Sequence, residues 1–227
     1  MPQALVAPLF QPTTRPIGSS ADVSIAESNH RIANSLAMVA GLLRLQASAA
    51  GGGDREFRPE EVSALLREAA SRVEVVGRLH GRLAQGPADF ELAEIVRDVA
   101  EATVASLAPP GQTGLSLRLG ATRSTPAHLA FPISLAIGEL VTNSLKHAHP
   151  AGVAGEIEIS CRQSRAGDLT IEVSDDGVGL PVGLDPMSSG GFGLRLVRAL
   201  AEQLHAELKF EDSGIGLTVR LRLRPQP

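Results

Sequence analysis

Gly51-Gly52-Gly53-Asp54 separates two stretches of helical apolar periodicity, and that arrangement leaves the N-terminal third of the chain few ways to fold. At about 100° of rotation per residue, Ile25, Ile32, Leu36, Val39 and Leu43 fall on one narrow stripe of a first helix. Asp22 or Ser24 can cap this helix, which is expected to run to about Ser48. After the glycines, Pro59 suits the first turn of a second helix. Along it Val62, Leu65, Leu66, Ala69, Val73, Val76 and Leu83 recur at helical spacing. Two such helices with a short Gly-rich link form an antiparallel hairpin. One hairpin leaves much of both stripes in water; pairing two copies as a four-helix bundle hides them, so a homodimer is the physical expectation.

The first helix also has a polar face. His30 lies roughly 140° from the apolar stripe, and Glu27 and Asn34, three residues before it and four after, project from the same side. A carboxylate, an imidazole and an amide therefore line up on a helix whose buried face is elsewhere. Alone, this is the pattern of an ordinary solvated helix face.

Composition works by exclusion. A chain of 227 residues holds one large domain or two small ones. The absence of Trp and Tyr argues against stacking platforms for bases or sugars, and a net charge of −4 without a long basic run points away from nucleic acid. The single cysteine, Cys161, permits no internal disulfide, fits a reducing compartment, and sits in an alternating apolar run as a small core residue. No apolar run reaches the roughly 18 to 20 residues that span a bilayer, and the start lacks a charged region followed by an apolar block. A cytoplasmic protein without membrane insertion is expected. Residues 1–20, with Pro2, Pro8, Pro12 and Pro16, read as a flexible tail too short for a sensor domain. If the chain is complete, its input signal comes through a separate sensor protein, or no signal is sensed.

Gln85-Gly86-Pro87-Ala88-Asp89 reads as the linker to a second unit. There Leu92, Ile95, Val96 and Val99 mark an amphipathic helix, Leu115 to Leu119 a strand, and Ala130 to Ala148 a long helix burying Leu135, Ile137, Leu140, Val141 and Leu145. Period-2 runs follow at 156–161 and 169–173, then a Gly/Pro-rich loop, a helix from Leu194 to Leu204, and strands around 208–210 and 217–221. This order predicts an α+β unit with helices on one face of a mixed, largely antiparallel sheet.

Three motifs in this unit carry chemistry. In Glu139-Leu140-Val141-Thr142-Asn143-Ser144-Leu145-Lys146-His147-Ala148, Glu139, Asn143 and Lys146 stand at i, i+4 and i+7 and share one helix edge. Hard oxygen donors suit Mg²⁺ with retained waters, and a Lys beyond them suits phosphate oxygens. In Val173-Ser174-Asp175-Asp176-Gly177-Val178-Gly179, a strand delivers a carboxylate to a sheet edge, followed by glycines that allow a planar ring to approach the backbone. In Gly190-Gly191-Phe192-Gly193-Leu194, glycines open a helix whose N-terminal amides favour phosphate.

In this order the three motifs resemble the N, G1 and G2 boxes of the ATPase superfamily shared by gyrase, the large heat-shock chaperones, histidine kinases and a mismatch-repair protein. His30-Arg31-x-x-Asn34, followed by Leu42-Leu43-Arg44-Leu45-Gln46, resembles the phosphoacceptor helix of sensor histidine kinases of the H-R-x-x-N subclass (HWE or HisKA type 2), in which Arg, not an acidic residue, follows the His. The resemblance implies a dimeric four-helix bundle at 21–86 and a Bergerat-type α/β-sandwich ATP-binding domain at 87–227. It implies that Asp175 meets the adenine amino group beside Gly177 and Gly179. Asn143 and Glu139 would hold Mg²⁺, and Lys146 with the Gly191, Gly193 and Leu194 segment would hold the phosphates. The loop at 181–190 would cover ATP, and His147 would pack or touch adenine.

On this reading His30 attacks the γ-phosphate of ATP and later passes the phosphoryl group to an Asp of a response regulator receiver domain. Glu27 or Glu139 takes the imidazole proton, Arg31 clamps phosphate, and Asn34 orients a water that dephosphorylates the regulator. Two positions depart from the family pattern: Asn29 stands where a second His is common, and His205-Ala206 replaces small residues after the last helix. A histidine phosphotransfer relay without autokinase activity, or an anti-sigma-type serine kinase, are the alternatives.

Overall fold

The structure, a computed structural model, describes residues 58–85, 89–109, 111–122, 124–150 and 153–225, together with 40, 41, 44 and 47. The first helix of the expected hairpin, with Glu27, His30, Arg31 and Asn34, lies outside the described residues.

Helix α1 (Pro59–Gln85) starts where Pro59 predicts. Glu61 reaches back to accept a hydrogen bond from the Arg58 N–H at 3.0 Å, satisfying a backbone donor that the helix itself cannot. Where its side chains are described, the expected apolar stripe is covered along one edge and exposed along the other. Val76 is buried with Val75 and Leu79, whereas Val62, Leu66 and Val73 are 41%, 65% and 46% exposed. Thus α1 packs one side on the second unit and leaves an apolar strip uncovered.

The expected linker is partly structured: Asp89–Glu91 is strand β1, which pairs antiparallel with β3 (Ser124–Pro126). Between them lie helix α2 (Leu92–Leu107) and strand β2 (Thr113–Leu119). Helix α3 (Ala127–His147) is the central element. Ala130, Phe131, Ile133, Leu135, Ala136, Ile137, Leu140 and Val141 are all buried, because α1, α2, α4 and the sheet surround it.

Strands β4 (Gly155–Gln163), β5 (Leu169–Asp175), β6 (Glu207–Asp212) and β7 (Leu217–Leu223), with β2, form a five-stranded sheet in the order β2-β4-β5-β7-β6. Only β2 with β4 is parallel. Alternation sends Ile157, Ile159, Cys161, Ile171, Val173, Val219 and Leu221 to the helix side. The other face is polar: Glu172 accepts hydrogen bonds from Ser160, Arg162 and Arg220. Burial pushes the Glu172 carboxyl up, but those bonds and the two guanidinium charges outweigh it and hold it below the usual carboxylate range. Burial raises the Cys161 thiol to about 11, as befits a core residue.

Helix α4 (Phe192–Gln203) begins two residues before the expected Leu194 and closes with the Ala206 N–H on the Ala201 carbonyl and the His205 N–H on that of Glu202. His205 takes the left-handed turn there, at φ 51°, a position usually left to Gly. Among the described residues no helix is long and apolar enough to cross a membrane.

Candidate functional site

A cavity of about 760 Å³ opens where the C-terminal half of α3, the end of β5, the start of β7 and the N-terminus of α4 converge, with α1 as a side wall. Of the sequence-predicted residues, Glu139, Asn143, Lys146 and His147 line it from α3, Asp175 and Gly179 from the β5 end, and Gly191, Gly193 and Leu194 from the α4 end. The three motifs therefore share one cavity.

Asp175 is fixed from three directions. Its Oδ2 accepts from the Ser144 hydroxyl at 2.8 Å, and its Oδ1 from the backbone N–H of Gly177 and of Leu217, both at 3.2 Å. Gly216, at φ +140°, allows β7 to begin against the Asp175 carbonyl, where any Cβ would overlap that oxygen. A carboxylate so held is a preorganised acceptor for an amino group. The space left by Gly177 is filled by Ala148, and Gly177 does not line the cavity; that at Gly179 is filled by the Asp212 carboxylate. At both glycines the protein's own packing therefore leaves no room for a side chain. Next to them, the Glu156 N–H and the His149 ring hydrogen-bond Asp176 and hold its carboxyl below the usual range.

At the other end, the Asn143 side-chain Nδ2 is buried with no hydrogen-bond partner among the described residues. Gly193 lies against it: a Cβ there would stand 2.9 Å from Asn143 Oδ1 and 3.0 Å from Glu139 Oε2. This unsatisfied amide beside a carboxylate marks a buried polar spot, and an amide flipped there would offer its oxygen, the atom that a hard cation takes. Among the described residues no group of three or more His, Cys, Asp or Glu is placed to hold a metal ion. Glu139 is not free, however. Arg72 of α1 binds both its oxygens, Nε to Oε1 and Nη2 to Oε2 at 2.9 Å, with side chains 6% and 3% exposed. Lys146 Nζ in turn lies 2.8 Å from Glu68 of α1.

The His147 pKa is lowered, first by the covering of part of its ring, then by the Lys146 charge, with Glu68 opposing. In the loop whose Pro181, Val182, Leu184 and Gly190 line the cavity, Asp185 ties Met187 and Ser188 into a turn. Arg198 of α4 donates to the carbonyls of Pro186 and Ser189 at 2.6 and 2.7 Å, pinning the 181–190 loop to the helix behind it. Ser144, Gly216, Arg198, Glu68 and Arg72 were not singled out by sequence reasoning. Ser144 sits inside a motif that was; the rest become visible only through long-range contacts.

Helices packed on one face of a mixed sheet thus leave this cavity beside the three motifs. Residues 130–227 match the family model described as "Histidine kinase-, DNA gyrase B-, and HSP90-like ATPase", and residues 27–107 match "Histidine kinase"; the chain belongs to the histidine kinase family and carries that family's ATP-binding domain. It is 28% identical over 214 residues to blue-light-activated histidine kinase 2 of Erythrobacter litoralis, covering 88% of this chain and 56% of that one. It is 33% identical over 202 residues to the sensor histidine kinase PdtaS of Mycobacterium tuberculosis, covering 87% and 37%. The solved histidine kinase domain of the Erythrobacter litoralis EL346 blue-light activated enzyme superposes with a TM-score of 0.68 at 27% identity, covering 89% of this chain and 91% of that one. The chain therefore spans between about a third and somewhat over half of the length of these curated relatives.

Proposed function

We propose that the chain is a histidine kinase of a two-component system: bound ATP phosphorylates His30, and the phosphoryl group passes to an Asp of a response regulator receiver domain. The observation that carries this reading is the convergence of all three motifs on one cavity, in a chain that also matches the histidine kinase model around His30. Asp175, fixed by Ser144, Gly177 and Leu217, would accept the adenine amino group. Lys146 and the amides of the 191–194 segment would take the phosphates. Asn143 and Glu139 would hold Mg²⁺, which supplies charge neutralisation on the phosphates. His147, on the cavity wall, would lie near the nucleotide.

In the transfer, an imidazole nitrogen of His30 forms a bond to the γ-phosphorus as the bond to the β-bridging oxygen breaks, ADP leaves, and the ring loses its proton to Glu27 or Glu139. Arg31 clamps the phosphoryl group, and Asn34 orients the water that later hydrolyses the regulator's aspartyl phosphate. Residues 21–86 would be the phosphotransfer hairpin and 87–227 the catalytic domain. The uncovered strip of Val62, Leu66 and Val73 on α1 supports pairing with a second copy. A cytoplasmic location completes the reading.

The test is incubation with γ-labelled ATP. An acid-labile, base-stable label on the chain that is lost in His30→Gln is expected. Acid-stable label on a partner protein, or no label at all, contradicts it.

A further inference from the structure

Helix α1 meets the phosphate end of the cavity with two charges, each opposite in sign to the side chain it touches. The Glu68 carboxylate is 2.8 Å from Lys146 Nζ, Arg72 forks onto both oxygens of Glu139, and Arg72 Nη2 is 3.8 Å from Glu68. Lys146, Glu68, Arg72 and Glu139 thus form a row that alternates in sign across two helices. Glu68 and Arg72 share a face with Val75 and Leu79, following i, i+4, i+7 and i+11, and both valine and leucine are only 3% exposed. The pairings are part of the seam by which α1 docks. The Arg72 guanidinium also lies 5.1 Å from the centre of the Phe192 ring, inside the Gly-rich motif, so α1 touches the cavity's second phosphate-binding element as well.

The partners chosen are the informative feature. Resting on the assignment of Lys146 to phosphate and Glu139 to a cation, we propose that α1 carries an internal mimic of a metal–phosphate pair. The Glu68 carboxylate occupies Lys146 as a phosphate oxygen would, and the Arg72 guanidinium occupies Glu139 as the metal ion would. Docking of α1 and binding of a metal–nucleotide then compete for the same two side chains. Linkage makes the competition reciprocal: nucleotide with its cation loosens α1, and whatever draws α1 away tightens nucleotide binding. Because α1 lies in the proposed phosphotransfer hairpin with His30, the competition would couple movement of that hairpin to occupancy of the cavity. The adenine end, 175–179 and 217, touches none of these charges, so a ligand without phosphates does not compete.

Calorimetric titration of the full chain tests this with two probes, adenosine and adenylyl-imidodiphosphate with Mg²⁺, on wild type and Glu68→Gln, alongside amide hydrogen exchange of wild type. Adenosine is expected to bind both forms equally. The Mg²⁺-loaded analogue is expected to bind Glu68→Gln roughly fivefold tighter, the scale of releasing one partly exposed ion pair. In wild type, amides across 65–79 should exchange faster with the loaded analogue and not with adenosine. Equal affinity of both forms for the analogue, or α1 exchange unchanged or slowed by it, overturns the competition while leaving nucleotide binding intact. No heat with either probe overturns the nucleotide reading and the competition with it. The exchange measurement needs no variant, so misfolding of Glu68→Gln does not rescue the proposal.

Discussion

Replacing Arg72 with methionine keeps most of the buried stem and removes the charge that balances Glu139. Glu139 is 2% exposed and both its oxygens face the guanidinium. Without Arg72, the buried Glu139 carboxylate is left with no equivalent donor pair among the described residues. Breaking a buried pair by removing one partner costs about 3–5 kcal/mol, and loss of the contact with Phe192 adds about 0.5–2 kcal/mol. These terms overlap in the same side chain, so a net loss of about 4 kcal/mol is expected in equilibrium urea denaturation at pH 7. Adding Glu139→Gln to Arg72→Met removes the stranded charge and should recover at least about 2 kcal/mol, because a neutral amide needs only hydrogen bonds and not a counter-charge. A loss below about 1 kcal/mol in Arg72→Met, or no recovery in the double variant, refutes the account of α1 docking through this pair.

Three further outcomes follow from the geometry. His205 holds a left-handed conformation at about 1 kcal/mol of strain, partly offset in Gly by a more flexible unfolded chain, so His205→Gly should gain about 0.5 kcal/mol in urea denaturation; a loss contradicts the capping assignment. The Glu172 carboxyl titrates below its unfolded value, so its contribution is present above the ordinary carboxylate pKa and is lost as pH falls through the lower folded value; Glu172→Gln should flatten the acid limb of stability against pH, and an unchanged limb contradicts this. Gly216→Ala should cost about 1–3 kcal/mol through backbone strain at φ +140° and weaken nucleotide binding by displacing Asp175; normal affinity in the folded variant contradicts that positioning role.

Elements that bury a continuous face were legible in the sequence: α2, α3 and the alternating β4 and β5 lie close to where periodicity puts them, since burial on one side writes a period into the residues. The three-residue strands β1 and β3 are too short to show any period, and Asp89 looked like linker. On α1 the period was real, but it does not tell which edge of the stripe is covered: Val76 is buried with Val75 and Leu79 while Val62 and Leu66 stay exposed, and only the packing of α2 and α3 decides this. The site divides the same way. Glu139, Asn143, Lys146, Asp175 and the glycines lie within short motifs whose spacing is itself the geometry. Glu68 and Arg72 resemble any solvated helix charges until α3, 67 positions beyond Arg72, is brought against them. Gly216 is an ordinary turn glycine in sequence, and only the approach of β7 to Asp175 gives it a role.

The central claim is that the cavity framed by α3, the β5 end and the α4 N-terminus takes adenine nucleotide through Asp175. Calorimetric titration of ADP with Mg²⁺ into wild type and Asp175→Asn tests it most directly. Saturable binding by wild type that weakens at least about a hundredfold in the folded variant is predicted, the scale of losing a charge-assisted hydrogen bond and turning an amide donor towards the ligand. Equal affinity of the two proteins, or no binding by either, contradicts it.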